Sequence, residues 1–308
     1  MILSVCPNPS VDTYAWIDTF KAGEVNRIER VEEFPGGKGV HVAHALAELG
    51  NTSSLIGAWA GGAGNWIKDQ CAQKNVATLG IELEGNNRKC YTFRSGKSEM
   101  NNSELLEPGP EFTSQKWHFF KEFFQDAIGN TRVICMAGSW PVNAPVDAYA
   151  QLIEAANKQN VPVILDCTGI QLKGALKKGF FGLHLNQEEA KNLCGSEDIQ
   201  DVMKFLSGKV EMVALTRGKD GLVFAYQNRV LTANVKIDKV VSTVGSGDCL
   251  TAGLAHAISR NLSIEETAAY GVACGAANCL FEDLGQLRIN DVKSLLQRVE
   301  IKEIIHEA

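Results

Sequence analysis

The chain has 308 residues, 45% of them apolar, which is enough for one large α/β unit or two small ones with a substantial core. A formal net charge of −6 argues against a nucleic-acid or acidic-membrane surface and leaves a small molecule as the expected partner. Nine cysteines, an odd number without close pairs of zinc-ligand type, read as reduced thiols packed as small apolar groups, so the expected location is cytoplasmic.

In chain order, buried strands are predicted at 2–5, 54–58, 133–136, 161–165, 182–185 and 212–215, and helices at 40–48, 65–74, 148–158, 187–194 and 199–206. This β-α alternation predicts a mostly parallel sheet covered by helices on both faces. The last third changes character. Leu222 to Tyr226 and Val230 to Asn234 flank Gln227-Asn228-Arg229 as a hairpin, followed by a glycine loop and two or three closing helices. Two segments break the rhythm: 10–34 and 89–107 alternate polar and apolar residues and predict a small projecting sheet, either a lid or a decoration. No repeat or Pro/Ser-rich linker divides the chain, so residues 1–308 read as one domain. No basic targeting segment opens it, and the longest apolar run, Ala268 to Phe281, is shorter than a membrane span and carries Asn278.

The most informative string is Gly245-Ser246-Gly247-Asp248, which puts a carboxylate where a glycine loop becomes a helix. Unpaired N–H groups at a helix start attract an anion, and glycines allow close approach. A carboxylate beside that anion would be repulsive unless it takes the proton of a hydroxyl attacking the anion's phosphorus, as in a phosphotransferase. By itself the string also fits an Asp N-cap after a glycine turn. There is no Gly-x-x-x-x-Gly-Lys-Ser/Thr signature and no Gly-x-Gly-x-x-Gly after the first strand, which argues against P-loop enzymes and nicotinamide dehydrogenases.

Asn8-Pro9-Ser10-Val11-Asp12, Gly36-Gly37-Lys38-Gly39, Glu107-Pro108-Gly109-Pro110, Ala137-Gly138-Ser139-Trp140-Pro141, Asn186-Gln187-Glu188-Glu189, Thr216-Arg217-Gly218-Lys219-Asp220-Gly221 and Gly245-Ser246-Gly247-Asp248 occur in this order. Together they resemble the ribokinase-like (PfkB) carbohydrate kinases, in particular the branch with tagatose-6-phosphate kinase and 1-phosphofructokinase. The resemblance implies a Rossmann-like domain with a small β-sheet lid, ATP and Mg²⁺, and a phosphorylated sugar as acceptor. Asp248 matches the family's general base, with the amides of Gly245, Ser246 and Gly247 stabilising the γ-phosphoryl. Asp12, Gly37, Lys38, Gly39, His41 and Ser139 fall on the acceptor side, Lys38 as a point charge for the acceptor's existing phosphate. Arg27 and Arg88, on or beside the two lid segments, match positions used for the sugar phosphate. On the donor side the resemblance assigns Asn186, Glu189, Thr216, Gly218, Gly221 and Asn278, with Glu189 arranging Mg²⁺ through water. Bland alternatives stand beside each: a helix start for Asn186 and Glu189, a hairpin turn for Thr216 to Gly221, and a helix-packing amide for Asn278.

Three positions depart from the family pattern: His41, which bears on substrate, His184, where a cation near the nucleotide phosphates is lost, and Cys249, where a smaller residue is usual. His41 replaces the Asn usual in Gly-Gly-Lys-Gly-x-Asn, and His184-Leu185-Asn186 replaces the frequent Lys-Pro-Asn. The resemblance implies a kinase for tagatose 6-phosphate or fructose 1-phosphate; a kinase for another sugar or nucleoside and a non-catalytic sugar-phosphate sensor are the alternatives. Exposed lid aromatics such as Phe20, Tyr91 and Phe93 predict pairing of lids in a homodimer.

Overall fold

Runs of branched apolar residues bounded by turns form the centre of the fold. A computed structural model describes residues 1–97 and 99–304; Ser98, within the predicted segment 89–107, and residues 305–308 lie outside the described residues. In chain order the elements are β1 (Ile2–Cys6), β2 (Ser10–Trp16), β3 (Arg30–Gly36), α1 (Lys38–Glu48), β4 (Ser53–Ala60), α2 (Gly61–Gln73), β5 (Ala77–Leu83), β6 (Arg88–Arg94), β7 (Glu104–Leu106) and α3 (Ser114–Ile128). Then come β8 (Val133–Ala137), α4 (Ala148–Lys158), β9 (Val163–Asp166), α5 (Gly169–Ala175), β10 (Phe180–Asn186), α6 (Gln187–Cys194), α7 (Ile199–Leu206) and β11 (Val210–Thr216). The last are β12 (Leu222–Tyr226), β13 (Arg229–Asn234), α8 (Ser246–Ile258), α9 (Ile264–Asn278), α10 (Ile289–Leu296) and β14 (Glu300–Glu303).

Ten strands form the main sheet in the order β14-β13-β12-β11-β10-β9-β8-β1-β4-β5. Every pairing from β11 across to β5 is parallel, and β12, β13 and β14 add antiparallel strands at one edge. Alternate residues feed opposite faces. Leu3, Val5, Ile134 and Met136 pack with Phe120, Phe124, Tyr149 and Val202 from α3, α4 and α7. Ile2, Val133 and Cys135 pack instead with Leu46, Leu254 and Val292 from α1, α8 and α10. The sheet is therefore buried on both sides, as a parallel sheet requires.

Strand order reverses at β1: the chain moves to β4 and β5 on one side and returns through β8 on the other. In open α/β sheets such a switch point opens a crevice at the carboxyl ends of the strands. A second sheet, in the order β3-β2-β6-β7, is built from the two segments that broke the β-α rhythm. Its strand β2 leaves directly from the end of β1, which holds this sheet next to the crevice. Phe20, in the link between β2 and β3, is exposed as expected, whereas Tyr91 and Phe93 on β6 are half-buried; Leu105 and Leu106 on β7 are exposed as well.

Candidate active site

The crevice is lined by the ends of adjacent parallel strands, and local chemistry determines how each presents its groups. At β1, Gly39 lets α1 press against the sheet: a Cβ there would lie 2.6 Å from Cys6 Cβ and 2.7 Å from Val5 O. Gly37 adopts φ 95° and occupies the N-cap of α1 without a side-chain cap, so the first amides of α1 are not spent on a cap. Lys38 follows. Gly36 pairs with Ser10 across β2 and β3, and a Cβ on it would meet Asp12 Cγ at 2.0 Å. The glycine thus makes room for the Asp12 carboxylate, whose Oδ1 accepts from Ser10 Oγ at 2.6 Å.

At the opposite wall α8 begins at Ser246, with Gly245 as an N-cap at φ 83° that makes no side-chain cap bond. Asp248 is consequently not the cap. Its buried carboxylate turns away from its own helix, and Oδ2 lies 2.8 Å from His41 Nδ1. The loop is held from below: Asn278 Nδ2 donates to Val244 O at 2.9 Å, and a Cβ on Gly245 would lie 2.4 Å from Gly285 N. Asn278 is completely buried. It braces the loop that leads into α8.

His41 lies between two carboxylates. While Nδ1 faces Asp248, Nε2 lies 3.4 Å from Asp12 Oδ2, an ion-pair distance without the alignment of a hydrogen bond. Burial alone would lower the imidazole's pKa, but the bonds to and charges of Asp12 and Asp248 outweigh it and raise the value to about 10. Burial pushes Asp12 the other way, and His41, Ser10 and Arg88 together hold its carboxyl below the usual range.

A third carboxylate, Asp166 at the end of β9, was not singled out from the sequence. It is buried, with Oδ1 2.5 Å from Lys38 Nζ and Oδ2 2.9 Å from His184 Nδ1. Despite burial, the charges and hydrogen bonds of Lys38 and His184 hold it well below the usual carboxylate range. The same contact, with the charges of Asp248 and Glu189, raises Lys38 against the opposing effect of desolvation. The Lys38 ammonium therefore feels the charges of Asp166, Asp248 and Glu189 together. The only signal in the chain was an acidic residue closing a buried strand, which is not distinctive.

Next along the edge, Asn186 and Glu189 are tied in a reciprocal capping box: each side chain accepts from the other's backbone N–H at 2.9 Å. Only Oε2 of Glu189 is spent on the box. Among the described residues no group of three or more His, Cys, Asp or Glu could hold a metal directly. The other carboxylate oxygen of Glu189, Oε1, makes no hydrogen bond in the box. Thr216 ends β11 level with Asn186, its hydroxyl 3.3 Å from Leu185 O and 3.4 Å from His184 Nε2. Gly218 and Gly221 have φ 55° and 83° and close the 217–221 turn, where Arg217 N donates to Gly221 O. Arg88 reaches Asn8 O at 3.3 Å beside Asp12, and Ser139 is exposed just beyond β8. Arg27 is exposed in the link between β2 and β3, with no ion pair among the described residues. The structure does not bring it to the carboxylates.

Residues 8–285 match the pfkB family of carbohydrate kinases. The 1-phosphofructokinase of Bacillus subtilis (strain 168) is 30% identical over 310 residues, covering 99% of this chain and all of that protein. The phosphofructokinase-2 of Escherichia coli, solved in complex with potassium, superimposes with a TM-score of 0.86 at 25% identity, covering 96% of this chain and 98% of that one. The fold is shared further with a ribokinase of Arabidopsis thaliana, at a TM-score of 0.78 and 20% identity over 96% of this chain and 98% of that one. The glycine loop that opens α8, the carboxylate that does not cap its own helix and the switch-point crevice agree with these matches: the chain belongs to the pfkB family of carbohydrate kinases, phosphotransferases with an alcohol group as acceptor.

Proposed function

We propose that the chain transfers the γ-phosphoryl group of ATP to a free hydroxyl of a ketohexose monophosphate, giving a bisphosphate. Fructose 1-phosphate is the first choice and tagatose 6-phosphate the second. The full-length relative at 30% identity supports fructose 1-phosphate. The observation that carries the reaction is Asp248, a buried carboxylate in the first turn of α8 that does not cap its helix and stands beside a helix start whose Gly245 N-cap makes no side-chain bond.

In this reading Asp248 takes the acceptor hydroxyl's proton as the oxygen bonds to phosphorus and the bond to the ADP oxygen breaks. The amides of Gly245, Ser246 and Gly247 receive the charge on the phosphoryl oxygens. Asp12 orients sugar hydroxyls, with Ser139 at the rim. Lys38, placed among Asp166, Asp248 and Glu189, is assigned to the transferring phosphoryl group, leaving the acceptor's own phosphate to Arg88 and, with the small sheet closed over it, Arg27. Thr216, Gly218 and Gly221 line the donor side. Mg²⁺ with the nucleotide would be held by phosphate oxygens, water and Glu189, and would neutralise phosphate charge.

The small sheet serves as a lid, and its exposed Phe20, Val25, Ile28, Val31, Leu105 and Leu106 form the surface through which two lids pair in a homodimer. ADP release measured over fructose 1-phosphate, tagatose 6-phosphate, fructose 6-phosphate and fructose tests the reading. The first should be turned over best and fructose at least tenfold more poorly; preference for the unphosphorylated sugar would refute it.

A further inference from the structure

The imidazole of His41 is enclosed on every side. Asp12 approaches from β2 at Nε2 and Asp248 from α8 at Nδ1, at 3.4 and 2.8 Å. The 285 loop closes the third side with backbone alone, since a Cβ on Gly285 would lie 2.3 Å from His41 Cβ. His41 and His44 are both buried on α1; Lys38 begins that helix, and Arg88 acts on Asp12 from β6. The ring has no room to swing away, so its two nitrogens must suit the groups they face.

A neutral imidazole carries one N–H and one lone pair. In either tautomer that lone pair would point at a carboxylate. Only the doubly protonated ring presents a proton toward both, hydrogen-bonded to Asp248 through Nδ1 and ion-paired with Asp12 at Nε2. We infer that His41 is a positioning residue: its ring, held as an imidazolium between Asp12 and Asp248, fixes the spacing of the sugar-orienting carboxylate and the base and supplies the charge that lets the two stand beside a phosphoryl anion. The Asn that the family pattern carries at this place can hold a carboxylate by hydrogen bond but brings no charge. The inference rests on the kinase reading above for the roles of the two aspartates, though the protonation state of His41 does not.

Two measurements test it. Ring ¹⁵N spectra of the ligand-free enzyme, with the His41 signals assigned by their loss in His41→Asn, should show both nitrogens protonated from pH 6.5 to 9. A neutral ring at pH 7.5 would overturn the inference, whatever the enzyme's activity. The second is the pH profile of kcat/KM for wild type and His41→Asn, whose amide nitrogen overlays Nδ1 and keeps the donor to Asp248 without the charge. The acid limb should move up by about one pH unit or more, because Asp12 loses the cation that holds its carboxyl down. The wild-type fall on the alkaline side, near pH 10, should be missing in the variant. A variant profile lowered by one constant factor with both limbs in place would reduce His41 to packing. His41→Gln, whose amide nitrogen overlays Nε2, should show the same two changes in the limbs and serves where His41→Asn is poorly folded. Near-normal turnover in Asp248→Asn would sink the kinase reading and leave the ring spectra standing; a neutral His41 beside an inactive Asp248→Asn would sink this inference alone.

Discussion

Replacing Asp166 by Asn tests the part of the site that the sequence did not announce. The amide keeps the shape and can still accept from His184, but Lys38 loses its counter-charge. Removing one partner of a buried pair costs about 3–5 kcal/mol. Here the Lys38 side chain remains 42% exposed, so water takes over part of its solvation and the expected loss is nearer 2 kcal/mol. At about 2 °C per kcal/mol for a chain of this length, the melting temperature should fall by about 4 °C. The sign with pH follows from the carboxyl's depressed pKa. Its contribution is complete above the unfolded value, about 3.9, and disappears as pH falls through the lower folded value. Denaturant or thermal melts should give a constant gap between wild type and variant from pH 8 to 5, narrowing only below about pH 4. The freed ammonium should also lower kcat by about tenfold or more, equivalent to about 1.4 kcal/mol of transition-state stabilisation. A variant as stable as wild type at pH 7.5, or a gap that widens on acidification, would refute the reasoning.

Asp248→Asn should lower kcat by about 10²–10⁴-fold while calorimetry shows both ligands still bound; near-normal turnover would remove the base. Lys38→Ala should reduce kcat more than it raises the KM of the sugar phosphate, and the opposite split would return Lys38 to the acceptor's own phosphate. Gly245→Ala combines a left-handed backbone with a Cβ 2.4 Å from Gly285 N, so about 1–3 kcal/mol of strain and a displaced anion loop should appear as a lower melting temperature and a collapsed kcat. Sedimentation at micromolar concentration should find a dimer, and sugar phosphate with nucleotide should slow hydrogen exchange in β6 and β7; a monomer with unchanged exchange would refute lid pairing and closure together.

The strands that could be read from the chain are those buried on both faces, such as β1, β4, β8 and β11, where continuous apolar runs leave little ambiguity. β5, α3 and β14 were missed for physical reasons. β5 is a half-exposed edge strand with Gly80 at φ 121°, and a Cβ there would lie 1.9 Å from Gly57 O, so its alternation is broken where the backbones touch. In α3, exposed Phe119 and Phe123 stand next to buried Phe120 and Phe124, which spreads aromatic residues round the helix and hides its period. β14, Glu-Ile-Lys-Glu, has one apolar residue and exists by pairing with β13. The small sheet was legible because half-buried strands alternate.

Within the site the motifs located the backbone turns and left the pairing of side chains hidden. Lys38 and Asp166 are 128 positions apart, and His41 and Asp248 are 207 apart, distances that no local window spans. Two of the departures from the family pattern, His41 and His184, turn out to be the ring partners of Asp248 and Asp166. They also hold the start of α8 from two directions. His41 grips it through the Asp248 carboxylate. His184 packs under it, where a Cβ on Gly247 would come within 2.9 Å of its Cε1. A glycine at 247 is thus demanded by His184, and restoring either family residue singly should disturb loop and carboxylate together. Each imidazole combines a hydrogen bond to a buried aspartate with a flat surface against backbone, and the arrangement depends on the fold bringing α1, β9, β10 and α8 to one edge.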